Sequence, residues 1–382
     1  MKRINSNPRP GWQQFAQSVG FNFHTFDGEP YWDESAYYQF SLQQIEQDLE
    51  QPTEDLHQMA LAVVDDVVQS EQLLQQLAIP EAYWQAVRDS WHSAQPHLYG
   101  RMDFSYAGTG PAKLLELNYD TPTSLFETGF FQWVWLEDQL MRGEIPQQAD
   151  QFNSLQDKLQ QAFSELALPQ PFYFSSVTDS VEDKGTVDYL MDIALQSGVD
   201  ARYIALEQLG NADGQLVDLD GYAIEGLFKL YPWEFMLQED FASTILTSKT
   251  QWLEPLWKSI ISNKGILPLL WQKFPNHPNL LPAMFEQGQT LKPGWVKKPL
   301  FSREGANIEL ITAQGKTVKE DGPYNDSGYI LQALQPLPKF GDSYSLIGSW
   351  VVADSAAGIC IREDNSLITK DSSRFLPHII LD

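Results

Sequence analysis

Cysteine occurs once in 382 residues, at Cys360, so an internal disulfide is excluded. Inside the run GICIR a lone thiol reads as a small buried hydrophobe rather than a nucleophile. Histidine is scarce: the six present never recur at a metal-ligand spacing, and HExxH is absent. Neither GxxxxGK[ST] nor a GxGxxG after a strand-like run occurs, so any nucleotide must be held by another route. No run of about 18 apolar residues exists, and the basic start MKRINSNPRPGWQQF leads into no apolar segment. The expectation is a cytoplasmic protein without a membrane partner. Positive charge is also short, with 25 Lys+Arg against 51 Asp+Glu and a net charge of −26. Nucleic acid is disfavoured as a partner, because phosphate recognition needs clustered cations. Cationic small molecules such as polyamines would be attracted, although acidity that merely keeps a surface soluble is the commoner reason for such a balance.

What is plentiful is core material. Hydrophobic residues make up 43% and aromatics 13%, with 12 Trp, which excludes wholesale disorder. The length permits two or three domains, but neither an internal repeat nor a linker interrupts the chain, which favours one multi-lobed domain. The first hundred residues read as mainly helical. TEDLHQMALAVVDDVVQSEQLLQQL is apolar at helical spacing behind a Thr53 start, and Pro80 opens PEAYWQAVRDSWHS. Residues 124–141 are apolar on most sides and predict a helix packed on both faces. PFYFSSV and ARYIALE flank VDYLMDIALQSG as a βαβ unit. QWLEPLWKSIISNKGILPLLW reads as a helix, a turn and an apolar run. After Gly294, short alternating runs (WVKKPLF, NIELITA, YILQALQPL, SLIGSWVVA, GICIRE, SLITK) predict antiparallel strands.

Three stretches carry chemistry. In RMDFSYAGTGPAKLLELNYDTPTS, residues i and i+2 of a strand share a face. A hairpin would therefore align Arg101 with Asp103 and Glu116 with Asn118, and turn Leu115 and Leu117 to the core. Two carboxylates and an amide form the all-oxygen set that Mg²⁺ prefers, and an adjacent arginine can meet phosphate charge. A surface hairpin with an ordinary ion pair is the plainer alternative. In WVKKPLFSREGANIEL, Lys297 and Lys298 precede a turn carrying Arg303, Glu304 and Gly305, whose backbone N–H groups could cover phosphates. Lys264 precedes a glycine and an apolar run, where a surface charge is not needed. In SWVVADSAAGICIREDNSLITKDSSRF, Arg362, Asp364 and Lys370 stand at strand ends, which also suits the polar rim of a hairpin.

In order and spacing, RMDF…ELNYDTPTS, NKGILPLLW, KKPLFSREGANI and GSWVVADSAAGICIREDNSLITK resemble the glutathionylspermidine synthetase family over residues 101–370, and the aromatic-rich start from Gly11 is similar to its entry segment. The resemblance implies an α+β, ATP-grasp-like multi-lobed fold over residues 11–382. A mainly helical N-terminal part and a C-terminal antiparallel sheet would make it up, with no amidase domain. It also implies a ligase with ATPase activity that phosphorylates a small-molecule carboxylate with ATP and lets an amine attack the acyl phosphate. Asp103, Glu116 and Asn118 would then hold Mg²⁺, as two ions. ATP would be bound by Arg101, Met102, Asp103, Lys264, Lys298, Glu304, Gly305, Gln332, Leu367, Ile368 and Thr369, with Arg101 also catalytic at the transferring phosphoryl group. Thr121, Thr123 and Arg362 fall where substrate is bound, the threonines replacing serine-type contacts to glutathione.

Where the family holds its polyamine with an acid, the chain has KDSSRF, with Arg374 close to that place and Asp371 displaced. A cation there would oppose an amine, so the expectation is a ligase that is not itself a glutathionylspermidine synthetase. The alternatives are a non-catalytic nucleotide-binding relative acting as a regulatory or scaffold module, and an acidic cation-binding protein. Replacing Asp103 or Glu116 is expected to leave the fold intact.

Overall fold

Apolar spacing does produce helix after residue 50, though not as one piece. The computed structural model describes residues 1–26, 28–324, 327–370 and 373–382. Helix α1 (Gln51–Val68) buries a stripe that includes Leu56, Ala60, Val63, Val64 and Val67. Thr53 is not its cap but lies within it, donating to the Leu49 carbonyl at 2.7 Å. The helix stops short of Leu77 because the Ser70 hydroxyl accepts from the Leu73 N–H at 3.3 Å and starts α2 (Glu71–Gln76). Helices α3 (Trp84–His92), α4 (Gln132–Arg142), α5 (Leu155–Glu165), α6 (Val181–Gln196) and α7 (Ile266–Lys273) follow. The expected all-round burial of residues 124–141 is not met. Helix α4 buries Trp135 and Leu136 but leaves Trp133 and Met141 exposed. The apolar run ILPLLW, with no assigned form in the sequence reading, is α7 itself, its proline sitting in the first turn where no N–H is missed.

The strands that build the site are, in chain order, β1 (Tyr99–Ser105), β2 (Lys113–Asn118), β3 (Phe172–Ser175), β4 (Ala201–Tyr203), β5 (Gly226–Lys229), β6 (Gln251–Leu253), β7 (Ala283–Phe285), β8 (Trp295–Pro299), β9 (Glu309–Ile311), β10 (Thr317–Lys319), β11 (Tyr329–Ala333), β12 (Ser343–Val352), β13 (Ser355–Asp364) and β14 (Arg374–Leu376). β3 to β6 form a parallel sheet in the order β6-β5-β3-β4, with α6 crossing from β3 to β4 as the βαβ reading expects. β7 to β11 form an antiparallel sheet in the order β7-β11-β8-β9-β10.

The C-terminal strands do not all join that sheet, as a single C-terminal sheet would require. β12, β13 and β14 instead extend the first hairpin, in the order β14-β13-β12-β1-β2. The cause is in β12, which is buried along nearly its whole length and so needs a strand on each edge and cover on each face. SLITK is not a strand. Asp364 Oδ1 accepts from the Ser366 N–H at 2.8 Å and Ser366 Oγ from the Ile368 N–H at 3.2 Å, and these side-chain bonds bend the chain instead.

Two fully buried ion pairs fix the hairpin's ends. Asp120, just past β2, meets Lys229 Nζ of β5 at 2.7 Å and accepts from the Trp233 N–H at 2.7 Å. Glu254 pairs with Lys258 and accepts from the Leu98 and Tyr99 N–H groups at 3.1 Å, at the start of β1. Breaking either pair from one side would strand a buried charge. The two chain ends meet in a small sheet, where His378–Ile380 runs parallel to Ala36–Phe40, itself paired with Lys2–Asn5.

Candidate active site

The three sheets converge on a cleft of ≈490 Å³, and the hairpin β1–β2 is its floor. Strand alternation places Arg101 and Asp103 on the cleft side of β1, opposite Asn118 and Glu116 of β2. Met102 is turned the other way: its side chain lies fully buried in the core and does not line the cleft. Leu115 also departs from its expected core position. A bulge between Asp103 and Phe104 leaves it without a cross-strand partner, and it lines the cleft while Leu114 and Leu117 fill the core. The bulge turns the Leu115 carbonyl to Lys298, whose Nζ donates to it at 2.8 Å.

Asp103 is 1% exposed and is gripped from two strands. Arg101 donates through Nε at 2.8 Å and through Nη2 at 3.3 Å, and Arg362 on β13 donates to the second oxygen. Burial opposes ionisation of this carboxyl, but the two guanidinium groups outweigh it and hold its pKa down at about 2. Gly348 of β12 lies between them. A Cβ there would stand 2.6 Å from Cys360 Sγ and 2.9 Å from Arg101 Cδ, so only glycine lets the arginine lie across the sheet.

Lys264 Nζ stands 3.3 Å from Glu116 Oε2 and donates to the Ser302 carbonyl at 2.7 Å. Burial brings the Lys298 ammonium down to about 8. Lys297 faces away, over the Tyr329 ring and 3.8 Å from Glu286.

The turn after β8 folds over the opening. Glu304 and Gly305 both take positive φ, and a Cβ on Gly305 would lie 2.5 Å from Ile368 Cγ2 and 2.7 Å from the Thr369 carbonyl. The same turn sends Arg303 to Thr121 Oγ1 at 2.5 Å and to Glu234 Oε1 at 3.2 Å. Beneath it Val296, Leu310 and Ile368 form an apolar slot, closed by Leu367, Thr369 and Gln332, whose amide donates to the Leu114 carbonyl at 3.2 Å.

Arg101, Asp103, Glu116, Asn118, Thr121, Thr123, Lys264, Lys298, Glu304, Gly305, Gln332, Arg362, Leu367, Ile368 and Thr369 thus meet in one cleft. Six of the chain's 25 Lys and Arg residues line it (Arg101, Lys264, Lys298, Arg303, Arg362, Lys370) beside six acids (Asp103, Glu116, Glu182, Asp183, Glu234, Glu304), so its lining is formally balanced where the whole chain carries −26. Among the described residues, no three His, Cys, Asp or Glu side chains come together as a metal group. None of their helices is long and apolar enough to cross a membrane.

One pair on the far wall was not read from the sequence, and one residue expected near the substrate lies elsewhere. Glu182 and Asp183, in the first turn of α6, line the cleft. In sequence they look like the acids that start any helix, so no signal distinguished them. Burial raises both, Asp183 to about 6. Arg374 is the residue expected near the substrate. It does not line the cleft but is spent on Glu363 at 3.1 Å, Asp33 at 3.3 Å and Ser343 at 2.7 Å. It therefore presents no charge that would repel an amine. Asp371 lies outside the described residues.

The family model described as glutathionylspermidine synthase preATP-grasp matches residues 3–381. A Haemophilus influenzae protein named as an acid–amine ligase is 38% identical over 396 residues, covering 99% of each chain. The bifunctional glutathionylspermidine synthetase/amidase of Escherichia coli is 29% identical over 391 residues, covering 95% of this chain and 61% of its own. A trypanothione synthetase of Crithidia fasciculata is 29% identical over 347 residues, covering 84% of this chain and 53% of its own. The chain therefore spans little more than half of these two longer relatives. In fold, a glutathione synthetase-like effector from Globodera pallida, solved without ligand, superposes with a TM-score of 0.57 at 12% identity, covering 90% of this chain and 89% of that one.

Proposed function

The chain belongs to the glutathionylspermidine synthase preATP-grasp family, and we propose that it is an ATP-dependent ligase that joins a small-molecule carboxylate to an amine through an acyl phosphate. Residues 11–382 act as one unit of ATP-grasp type in this reading, in the cytoplasm. The observation that carries it is the cleft itself, where cations ring a facing pair of carboxylates between two antiparallel sheets. Lys264 and Lys298 would hold the triphosphate, the turn at Glu304–Gly305 would cover it, and the slot of Val296, Leu310 and Ile368 would take the base.

Asp103 and Glu116 stand opposite each other in register, with the Asn118 amide beside them. These are the hard oxygen donors that Mg²⁺ prefers, so the set fits the ion by ligand type, and Mg²⁺ would share Asp103 with Arg101 and Arg362 and Glu116 with Lys264. When bound, Mg²⁺ would neutralise phosphate charge. Arg101, fixed by Asp103 and by the Thr123 carbonyl at 2.9 Å, would meet the charge that develops on the transferring phosphoryl group. Glu182 and Asp183 would receive the amine. Arg303, latched to Thr121 and Glu234, would keep water out.

The reason for excluding glutathione and spermidine was Arg374, and its pairing away from the cleft returns that pair to the candidates. Incubating the protein with ATP, Mg²⁺ and pools of carboxylic acids and amines that include both should give a conjugate detectable by mass spectrometry. Nucleotide bound but left intact across all pools would favour the non-catalytic reading.

A smaller change tests the covering turn. Gly305→Ala should weaken MgATP affinity about tenfold at a cost of about 1–2 kcal/mol in stability, because a methyl at this positive φ pushes the turn off Ile368 and Thr369. Unchanged affinity, measured by fluorescence titration, would remove this turn from the nucleotide site.

A further inference from the structure

Glu182, at the cleft wall, is linked through Tyr31 to a buried acid, Glu127, that the proposed chemistry has not used. Tyr31, 2% exposed, places its hydroxyl 2.5 Å from Glu127 Oε1 and 3.2 Å from Glu182 Oε1. A phenol has one proton to donate. It cannot donate to two carboxylates at once, so both contacts are hydrogen bonds only if one carboxyl is itself protonated and donates back. Glu127 is 1% exposed, and its second oxygen is buried without a partner in the described structure. An ionised carboxylate left that way would be costly, whereas a carboxyl that keeps its proton needs fewer donors. The charged groups around the trio agree. Asp183 stands next to Glu182, and the two glutamates repel each other. Arg101 opposes them from the cleft side without outweighing burial. Burial and Glu182 push Glu127 up to about 8.

We propose that Glu182, Tyr31 and Glu127 hold two protons between them, the phenol's and one carboxyl's, and accept a third from the substrate ammonium before it attacks, Glu182 touching the substrate and Glu127 acting through Tyr31 as a positioning residue. This rests on the ligase reading. An amine reaches the cleft as R–NH₃⁺, without a lone pair. One proton passes to the trio, whose single negative charge becomes zero. The freed lone pair forms the C–N bond, and the acyl C–O bond breaks with its electron pair leaving on phosphate. The nitrogen's surplus proton goes to that phosphate, which departs as HPO₄²⁻.

Two measurements separate this inference from the reading beneath it. Infrared spectroscopy of the whole protein, with no substrate, should show a protonated-carboxyl C=O band near neutral pH. The band should fade as pH rises through about 8 and be missing in Glu127→Gln. Phosphate release from MgATP with glutathione as the acid probe should then be compared for spermidine and for hydroxylamine, which is uncharged at neutral pH. Glu127→Gln and Tyr31→Phe should each lower the spermidine-to-hydroxylamine rate ratio by about tenfold or more. Absence of the band at every pH, or equal slowing of both nucleophiles, would overturn the proposal. Absence of turnover with either nucleophile would remove glutathione as the acid, and the infrared result would still decide the proton.

Discussion

Asp103→Ala is expected to lose about 3–5 kcal/mol of folding stability, the range for removing one partner of a buried charge network. The carboxylate is 1% exposed and serves two guanidinium groups, so its removal leaves Arg101 buried and unpaired beside a half-buried Arg362. The loss will follow pH with a definite sign. With the folded pKa depressed to about 2, the contribution is full above the ordinary aspartate value near 4 and disappears as pH falls from there towards 2. Glu116→Gln should behave differently. Glu116 is half-buried and holds Lys264 only at 3.3 Å, so stability should move by about 0.5 kcal/mol or less. Mg²⁺-dependent turnover should nevertheless fall about 10²-fold, as for other lost transition-state charge contacts. Urea denaturation of the two variants checks the contrast, and equal stabilities would contradict it. The expectation that both variants keep the fold is therefore retained for Glu116→Gln and replaced for Asp103→Ala, and the same denaturation curves test both.

The second large effect is a pH dependence of nucleotide binding. MgATP affinity should weaken as pH rises through about 8, because the buried Lys298 ammonium loses its proton there and with it a charge-assisted bond to phosphate. Lys298→Ala should cost about 10–100-fold in affinity at neutral pH, the worth of a hydrogen bond to a charged group. It should also flatten the profile. Lys298→Arg, which cannot be deprotonated in this range, should flatten it while keeping much of the affinity. Titrations at two pH values on either side of 8 read this directly, and an undiminished slope in Lys298→Arg would assign the titration to another group.

Legibility in the sequence tracked the range of the interaction. The hairpin, with Arg101, Asp103, Glu116 and Asn118 on one face, follows from period-2 alternation within 20 residues. The bulge at Leu115 does not, because it depends on how β2 meets Lys298 of another sheet. Arg362 could be placed at a strand end, but its bond to Asp103 depends on β12 inserting between β13 and β1. Glu182 and Asp183 carry the local signature of a helix start, and only the packing of α6 against the cleft gives them another use. Arg374 is harder to place for a related reason: Glu363 is its cross-strand neighbour 11 residues back, but Asp33 comes from the far end of the chain.

Calorimetric titration of ATP in excess Mg²⁺ into the wild-type protein and Lys298→Ala reaches the central point with one measurement. One saturable site in the wild type, weakened in the variant, is expected. No heat of binding at millimolar nucleotide would contradict an ATP-dependent ligase in this cleft.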